Sequence, residues 1–269
     1  MLTSPHKYNE KNKMSASSAN LAQRGYQYGF SENGNAMYDL TGRQRKAHTM
    51  IAVLQDYFGG NLNSRSILNL GGSTGIIDSV LAQHVQTVTS VDIDEKAIAY
   101  AQQHFSTPNL QFALGDAMNL AQANNTFDIV ICSQVYEHVP DSAQMMQEIH
   151  RVLKPGGVCY FAASNRLMWN EPHYNLPLLS VMPRSIAHSY LRLAHKGDYY
   201  YEKHLSYWGL KKLVSHFKCH DYTTRMLASP LQFGIEYMVN PDHFKGKLAK
   251  FLAKYCFWSL PGYIWILEK

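Results

Sequence analysis

The chain is short of several things, and each absence narrows the reading. It has no run of about 18 apolar residues, so a membrane-spanning helix is not expected, and Met1–Asn20 lacks the apolar stretch of a secretory signal. We therefore expect a soluble, cytoplasmic protein. Its four cysteines, Cys132, Cys159, Cys219 and Cys256, form no C-x-x-C pair, which argues against a disulfide framework or a zinc knuckle. No carboxylate and histidine cluster with ligand spacing stands out, and no metal is expected. Charge is modest: 25 Lys and Arg against 20 Asp and Glu give +5 over 269 residues, too small and too scattered an excess to imply nucleic acid. The phosphate loop G-x-x-x-x-G-K-[ST] is missing. So is the dinucleotide spacing, because positions 71, 73 and 76 hold Gly71, Ser73 and Ile76.

What is present is a composition 46% hydrophobic and 17% charged, enough for a sizeable core. The polar stretch Met1–Asn20 reads as a mobile tail, with residues 21–269 as one domain. Apolar periodicity places a helix over Gln44–Phe58, stopped by Gly59-Gly60. An alternation follows: strands at Ser66–Leu70, Thr87–Asp92, Leu110–Leu114, Phe127–Ser133 and Val158–Ala163, with helices at Ile76–His84, Glu95–Phe105 and about Ser142–Leu153 between them. Nearly all-apolar strands separated by amphipathic helices imply a parallel, doubly wound α/β sheet covered on both faces. Its ligand belongs beyond the carboxyl ends of the first strands. The rhythm breaks at about 166–203, a stretch rich in Pro, His and Tyr that is too long for a plain connector and reads as a cap. A helix at Tyr207–Phe217, a strand near Tyr222–Leu227, a second insertion at about 229–260 and a last strand at Tyr263–Leu267 complete the expectation.

The glycine turn Gly71-Gly72-Ser73-Thr74-Gly75 is a weak signal alone. Two acids strengthen it: Asp92 ends the second strand, where a carboxylate accepts ribose hydroxyls, and Asp116 follows the third, placed for an adenine amino group. Each acid has the alternative of capping the next helix. An acid-lined, lysine-free turn suits a ligand with a sulfonium cation better than a pyrophosphate.

In this order, Leu68-Asn69-Leu70-Gly71-Gly72-Ser73-Thr74-Gly75, Val91-Asp92-Ile93, Gly115-Asp116-Ala117, Phe127 to Val139 and Leu153-Lys154-Pro155-Gly156-Gly157, the chain resembles the class I S-adenosylmethionine-dependent methyltransferases over about residues 40–165. The resemblance implies a mostly parallel, seven-stranded, Rossmann-like sheet with a helical or irregular acceptor cap, and S-adenosyl-L-methionine as cofactor. It further implies that Gly71 and Gly75 approach the amino-acid part, Asp92 holds the ribose, Ile93 and Met118 sandwich the adenine, Asp116 and the Ala117 backbone read its edge, and Ser133 offers backbone to the ammonium. Where the family usually has an acid this chain has Asn69, which keeps hydrogen bonding without charge; where the family has a glycine it has Ser73. Tyr38 and Arg45 are candidates to close over the cofactor.

His138, just past the fourth strand, is the candidate catalytic base, or else packs its loop. Asn165, Arg166, His173, Tyr174, Tyr200 and His204 are candidates to meet the acceptor or to pack the cap. The acceptor is expected to be a small or lipid-linked molecule, a saccharide or secondary metabolite, methylated on oxygen. A non-catalytic cofactor-binding scaffold, and less so a nicotinamide-dependent dehydrogenase, are the competing functions. At 244–258, Phe244, Leu248, Phe251, Leu252 and Tyr255 share one helical face with lysines largely elsewhere, a pattern that fits either peripheral membrane contact or packing on the sheet or at a dimer contact.

Overall fold

The computed structural model describes residues 27–33, 35–239 and 243–269, so the expected tail lies outside the described residues. After 3-10 turns at Gln27–Asn33 and Asn35–Met37, helix α1 spans Leu40–Phe58. The Asp39 carboxylate accepts from the Gly42 N–H at its start, and Gly59 ends it in the left-handed region at φ 71°. Then follow β1 (Leu62–Leu70), α2 (Ile76–Leu81), β2 (Val85–Asp92), α3 (Glu95–His104), β3 (Leu110–Leu114), β4 (Phe127–Ser133), α4 (Ser142–Val152) and β5 (Leu153–Ser164). The cap carries a two-residue hairpin, β6 (Asn170–Glu171) with β7 (Leu176–Pro177), and α5 (Arg184–Leu193). The remainder is α6 (Tyr207–Leu213), β8 (Lys218–Asp221), α7 (Thr223–Ala228), α8 (Phe244–Tyr255) and β9 (Gly262–Glu268).

The seven-stranded sheet runs β3-β2-β1-β4-β5-β9-β8, parallel from β3 to β5, with β9 antiparallel to both of its neighbours. Alternation along the strands divides the core between two faces. Leu68, Leu70, Val130, Cys132, Cys159 and Phe161 pack with Met145, Ile149 and Trp265 on one side. Ile67, Ile129, Ile131, Val158 and Tyr160 pack with Ala47, Met50, Ile51 and Leu54 of α1 on the other. Fully buried side chains of this size each contribute roughly 1.5–3 kcal/mol. Both faces being occupied, ligands are left the strand ends, and order reverses between β1 and β4.

Two expectations are corrected. The strand near Tyr222–Leu227 is helix α7, because both Asp221 carboxylate oxygens accept N–H groups, from Thr223 at 2.9 Å and Thr224 at 3.3 Å, and start a helix; β8 is the preceding four residues. The helix expected over about Ser142–Leu153 does end there, at Val152, but β5, expected from Val158, already opens at Leu153, through a register shift against β4 between Phe127 and Ile129.

Candidate active site

The carboxyl ends of β1 to β4 bring the glycine turn, Asp92, Asp116 and Ser133 to one edge of the sheet. Gly71, Ser73 and Gly75 all have positive φ, at 69°, 53° and 77°. Side chains have no room at the two glycines: a Cβ on Gly71 would stand 2.8 Å from Val135 Cγ2, and one on Gly75 2.8 Å from Ala101 and Phe112. Ser73 adopts the left-handed conformation that a glycine takes freely, and its N–H donates to Asp92 Oδ2 at 2.7 Å. The other oxygen of Asp92 accepts from the Asp94 N–H at 2.9 Å. Burial raises the Asp92 carboxyl pKa, and these two N–H bonds oppose the shift. Asp116 accepts from the Met118 N–H at 3.0 Å, while Ala117 and Met118 lie half-buried against the core and Ile93 follows Asp92. Carboxylates at two strand ends, with no lysine in the turn, fit an adenosyl sulfonium held through its sugar and base.

Asn69 is tied into a buried network beside Gly72, where a Cβ would stand 2.9 Å from Asp78 Oδ2. It is buried and donates to Asp78 Oδ1 at 2.7 Å, while the Ser90 hydroxyl donates to Asp78 Oδ2 at 3.0 Å. Burial pushes the Asp78 carboxyl up to about 6, against those hydrogen bonds. Because the folded pKa lies above the ordinary 3.8, this group's contribution to stability is fully present below about pH 4 and is lost as pH rises through about 6, by an order of 3 kcal/mol. Asp78→Asn is expected to flatten the melting temperature between pH 4 and 7 and to match or exceed the parent above pH 7. An unchanged decline in thermal scans across that range would assign it to another group.

The arginine at the turn is Arg43, not Arg45. Arg45 is exposed and lies over the Tyr237 ring at 5.2 Å. Arg43 is buried, donates to the Ala36 carbonyl and to Met37 Sδ, and feels Asp78, Asp92 and Asp39. Helical spacing ahead of Ala47, Met50 and Leu54 was the available signal. Tyr38 packs edge-on against Tyr100 at 5.1 Å, and Thr74 Oγ1 donates to the Met37 carbonyl at 2.6 Å, so the amino-terminal segment reaches the glycine turn. One turn earlier, the Ser31 N–H donates to Asp94 at 2.8 Å and the Phe30 ring lies 5.1 Å from His138.

Past β4, three loops converge. Each carries a glutamate and a histidine: Glu137-His138, Glu171-Pro172-His173 and Glu202-Lys203-His204. The rings of His138 and His173 are 4.8 Å apart, and His138 Nδ1 stands 4.0 Å from Glu202 Oε1. Glu171 Oε1 lies 2.6 Å from His173 Nδ1 and 3.3 Å from His204 Nε2. All three glutamates are buried. Burial pushes the Glu137 carboxyl up to about 8. Burial, and next the charges of His173 and His204, push His138 down to about 3, so its imidazole is neutral. Burial opposes the shift at Glu171, but its hydrogen bonds to His173 and His204 hold that carboxyl at about 2. This repeat of Glu near His, legible in the sequence, was missed, and the expectation that no carboxylate and histidine cluster exists is corrected.

The cap candidates divide. His173, Tyr174, Tyr200 and His204 gather here, with the Tyr174 and Tyr200 rings 5.8 Å apart. Asn165 is engaged elsewhere: its amide donates to the Leu260 and Trp258 carbonyls at 2.7 and 2.9 Å, and its oxygen accepts from the Leu167 N–H. Arg166 is likewise spent within the cap, on the Ser180 and Val181 carbonyls at 3.1 and 3.2 Å.

The sheet order and the glycine turn at its reversal point define a class I, Rossmann-like fold. Comparison with known proteins agrees: the family described as "Methyltransferase domain" matches residues 68–161. A ubiquinone biosynthesis O-methyltransferase of Paracidovorax citrulli is 31% identical over 181 residues, 63% of this chain and 74% of its own. One of Coxiella burnetii is 29% identical over 141 residues, 51% of this chain and 60% of its own. In fold, an S-adenosylmethionine-dependent methyltransferase from Mesorhizobium loti matches at TM-score 0.51 and 16% identity, over 78% of this chain and 93% of its own. The chain belongs to the class I S-adenosylmethionine-dependent methyltransferases. It is an enzyme of that family and takes S-adenosylmethionine as cofactor.

Proposed function

We propose that residues 21–269 form one methyltransferase domain, with the insertions at about 166–203 and 229–260 as its acceptor side, and that it methylates a hydroxyl on a small or lipid-linked ring acceptor. The observation that carries this is the meeting of His138, His173, Tyr174, Tyr200 and His204 beside the donor edge. Aromatic rings with polar tips suit a flat or sugar-like ring carrying hydroxyls. The similarity to ubiquinone biosynthesis O-methyltransferases supports oxygen as the atom methylated.

When bound, S-adenosylmethionine supplies a methyl group on a sulfonium, open to attack opposite the sulfur. Asp92 and Asp116 hold the sugar and the base; Gly71, Gly75 and Ser133 leave backbone accessible to the amino-acid end. His138, 4.0 Å from Glu202, would be the group placed to take the hydroxyl's proton as oxygen attacks, and the cap would shield that step from water. The four free cysteines suit a reducing compartment such as the cytoplasm.

Among the described residues no helix is long and apolar enough to cross a membrane. Helix α8 nonetheless presents Phe244, Leu248, Phe251 and Tyr255 outward, exposed by 42–77%, while Ala249, Leu252 and Ala253 face the core. Packing on the sheet therefore uses the small residues and Leu252, not the large apolar face. Lys247, Lys250 and Lys254 are exposed beside it, and Trp208 stacks on Trp258 at 5.6 Å next to the helix. This surface supports reversible contact with an anionic membrane, from which a lipid-linked acceptor would be drawn.

Calorimetry with S-adenosylmethionine, followed by methyl transfer to a panel of hydroxylated rings, sugars and amines, tests the reading. Asp92→Ala is expected to weaken donor binding about 10–100-fold, with methyl recovered on oxygen. Methyl transfer confined to nitrogen acceptors would overturn the oxygen assignment, and donor affinity unchanged by Asp92→Ala would overturn the donor site.

A further inference from the structure

We infer that Glu171, His173 and His204 hold a single divalent transition-metal ion, a function beyond donor binding and methyl transfer. Glu171 Oε1 stands 2.6 Å from His173 Nδ1 and 3.3 Å from His204 Nε2, and the three atoms lie within 4.8 Å of one another. Around a tetrahedral ion with bonds of 2.0–2.2 Å, ligand atoms stand about 3.4 Å apart. Side-chain adjustments of under about an ångström therefore convert a pair of shared hydrogen bonds into three metal bonds. Two imidazoles and one carboxylate form the borderline donor set of zinc or cobalt, not the oxygen cage of magnesium or calcium.

A second observation is independent of those distances. Glu137 is completely buried, and both of its carboxylate oxygens, along with the Tyr200 hydroxyl and His204 Nδ1, find no hydrogen-bond partner. Glu137 interacts electrostatically with His173. Among the described residues neither Glu137 nor Glu171 is paired with a lysine or arginine. Buried polar atoms left without partners around the Glu171, His173 and His204 cluster would be satisfied by a bound cation and its coordinated water.

His173 also groups with His138 and Glu202. The ion is assigned to the Glu171 side because its ligand atoms are already in contact, whereas His138 Nδ1 and Glu202 Oε1 are 4.0 Å apart. All three assigned ligands belong to the cap and its return to the sheet. The ion would therefore fasten the β6–β7 hairpin to the irregular 199–204 segment and fix His173 against His138.

The test uses the full chain, stripped with chelator and titrated with cobalt(II). One equivalent should produce the intense visible bands of four-coordinate cobalt, displaced by zinc. Glu171→Gln and His204→Asn should each weaken uptake by about 100-fold or more, with circular dichroism and S-adenosylmethionine affinity retained. His138→Ala should take up the ion normally. No stoichiometric uptake by the parent chain, equal uptake by Glu171→Gln, or loss in His138→Ala would each overturn the assignment. If one variant fails to fold, the other is decisive. Ion uptake is read without methyl transfer, so an inactive but ion-binding protein would sink the acceptor reading and leave this one standing.

Discussion

Replacing His138 by alanine is expected to lower turnover by about 10²–10⁴-fold while S-adenosylmethionine affinity stays unchanged. The ring lies past the end of β4, against Phe30 and His173, and outside the contacts of Asp92 and Asp116. Loss of the imidazole removes the proposed proton acceptor without touching the hydrogen bonds of Asp92 or Asp116. Steady-state kinetics paired with calorimetry separates the two effects. Unchanged turnover would return His138 to a packing role in its loop. An equal loss of donor affinity would mean that the ring supports the β4 turn.

Reversing three charges on α8, Lys247→Glu, Lys250→Glu and Lys254→Glu together, should abolish sedimentation with phosphatidylglycerol vesicles, a loss of at least about 100-fold. Each lysine near an anionic surface contributes about 1 kcal/mol, and reversal adds repulsion to the loss. The three side chains are exposed, so the fold should tolerate the change. Binding by the parent chain should weaken with salt, while Phe251→Ala should weaken it at every salt concentration, since that ring is exposed by 54% and offers apolar area. A parent chain that stays in the supernatant at low salt would remove membrane contact from the account.

The glycine-turn half of the candidate site was legible because it is local. Strand ends are marked by apolar runs, the glycine turn announces its own backbone, and Asp92 closes β2 while Asp116 lies just past the end of β3. β3 and β4 fall on the expected residues. The glutamate and histidine cluster was legible only in part, because it is assembled across the chain. Glu137, Glu171 and Glu202 are separated by more than thirty residues each time, and nothing in the local pattern of any one of them signals burial beside the others. Asn165 and Arg166 were misread for a related reason. Position at the end of β5 predicted the pocket, but the Leu260 carbonyl and the 180–181 turn claim both side chains first. The β-branched residues of Tyr222–Leu227 favoured a strand until Asp221 capped them.

The stretch Gln27–Asn33 is a bridge with a foot in each half of the crevice. Its Ser31 amide rests on Asp94, two residues from the ribose-side carboxylate, and its Phe30 ring rests on His138. Displacing this stretch as a unit would break the Ser31–Asp94 hydrogen bond and the Phe30–His138 ring contact together.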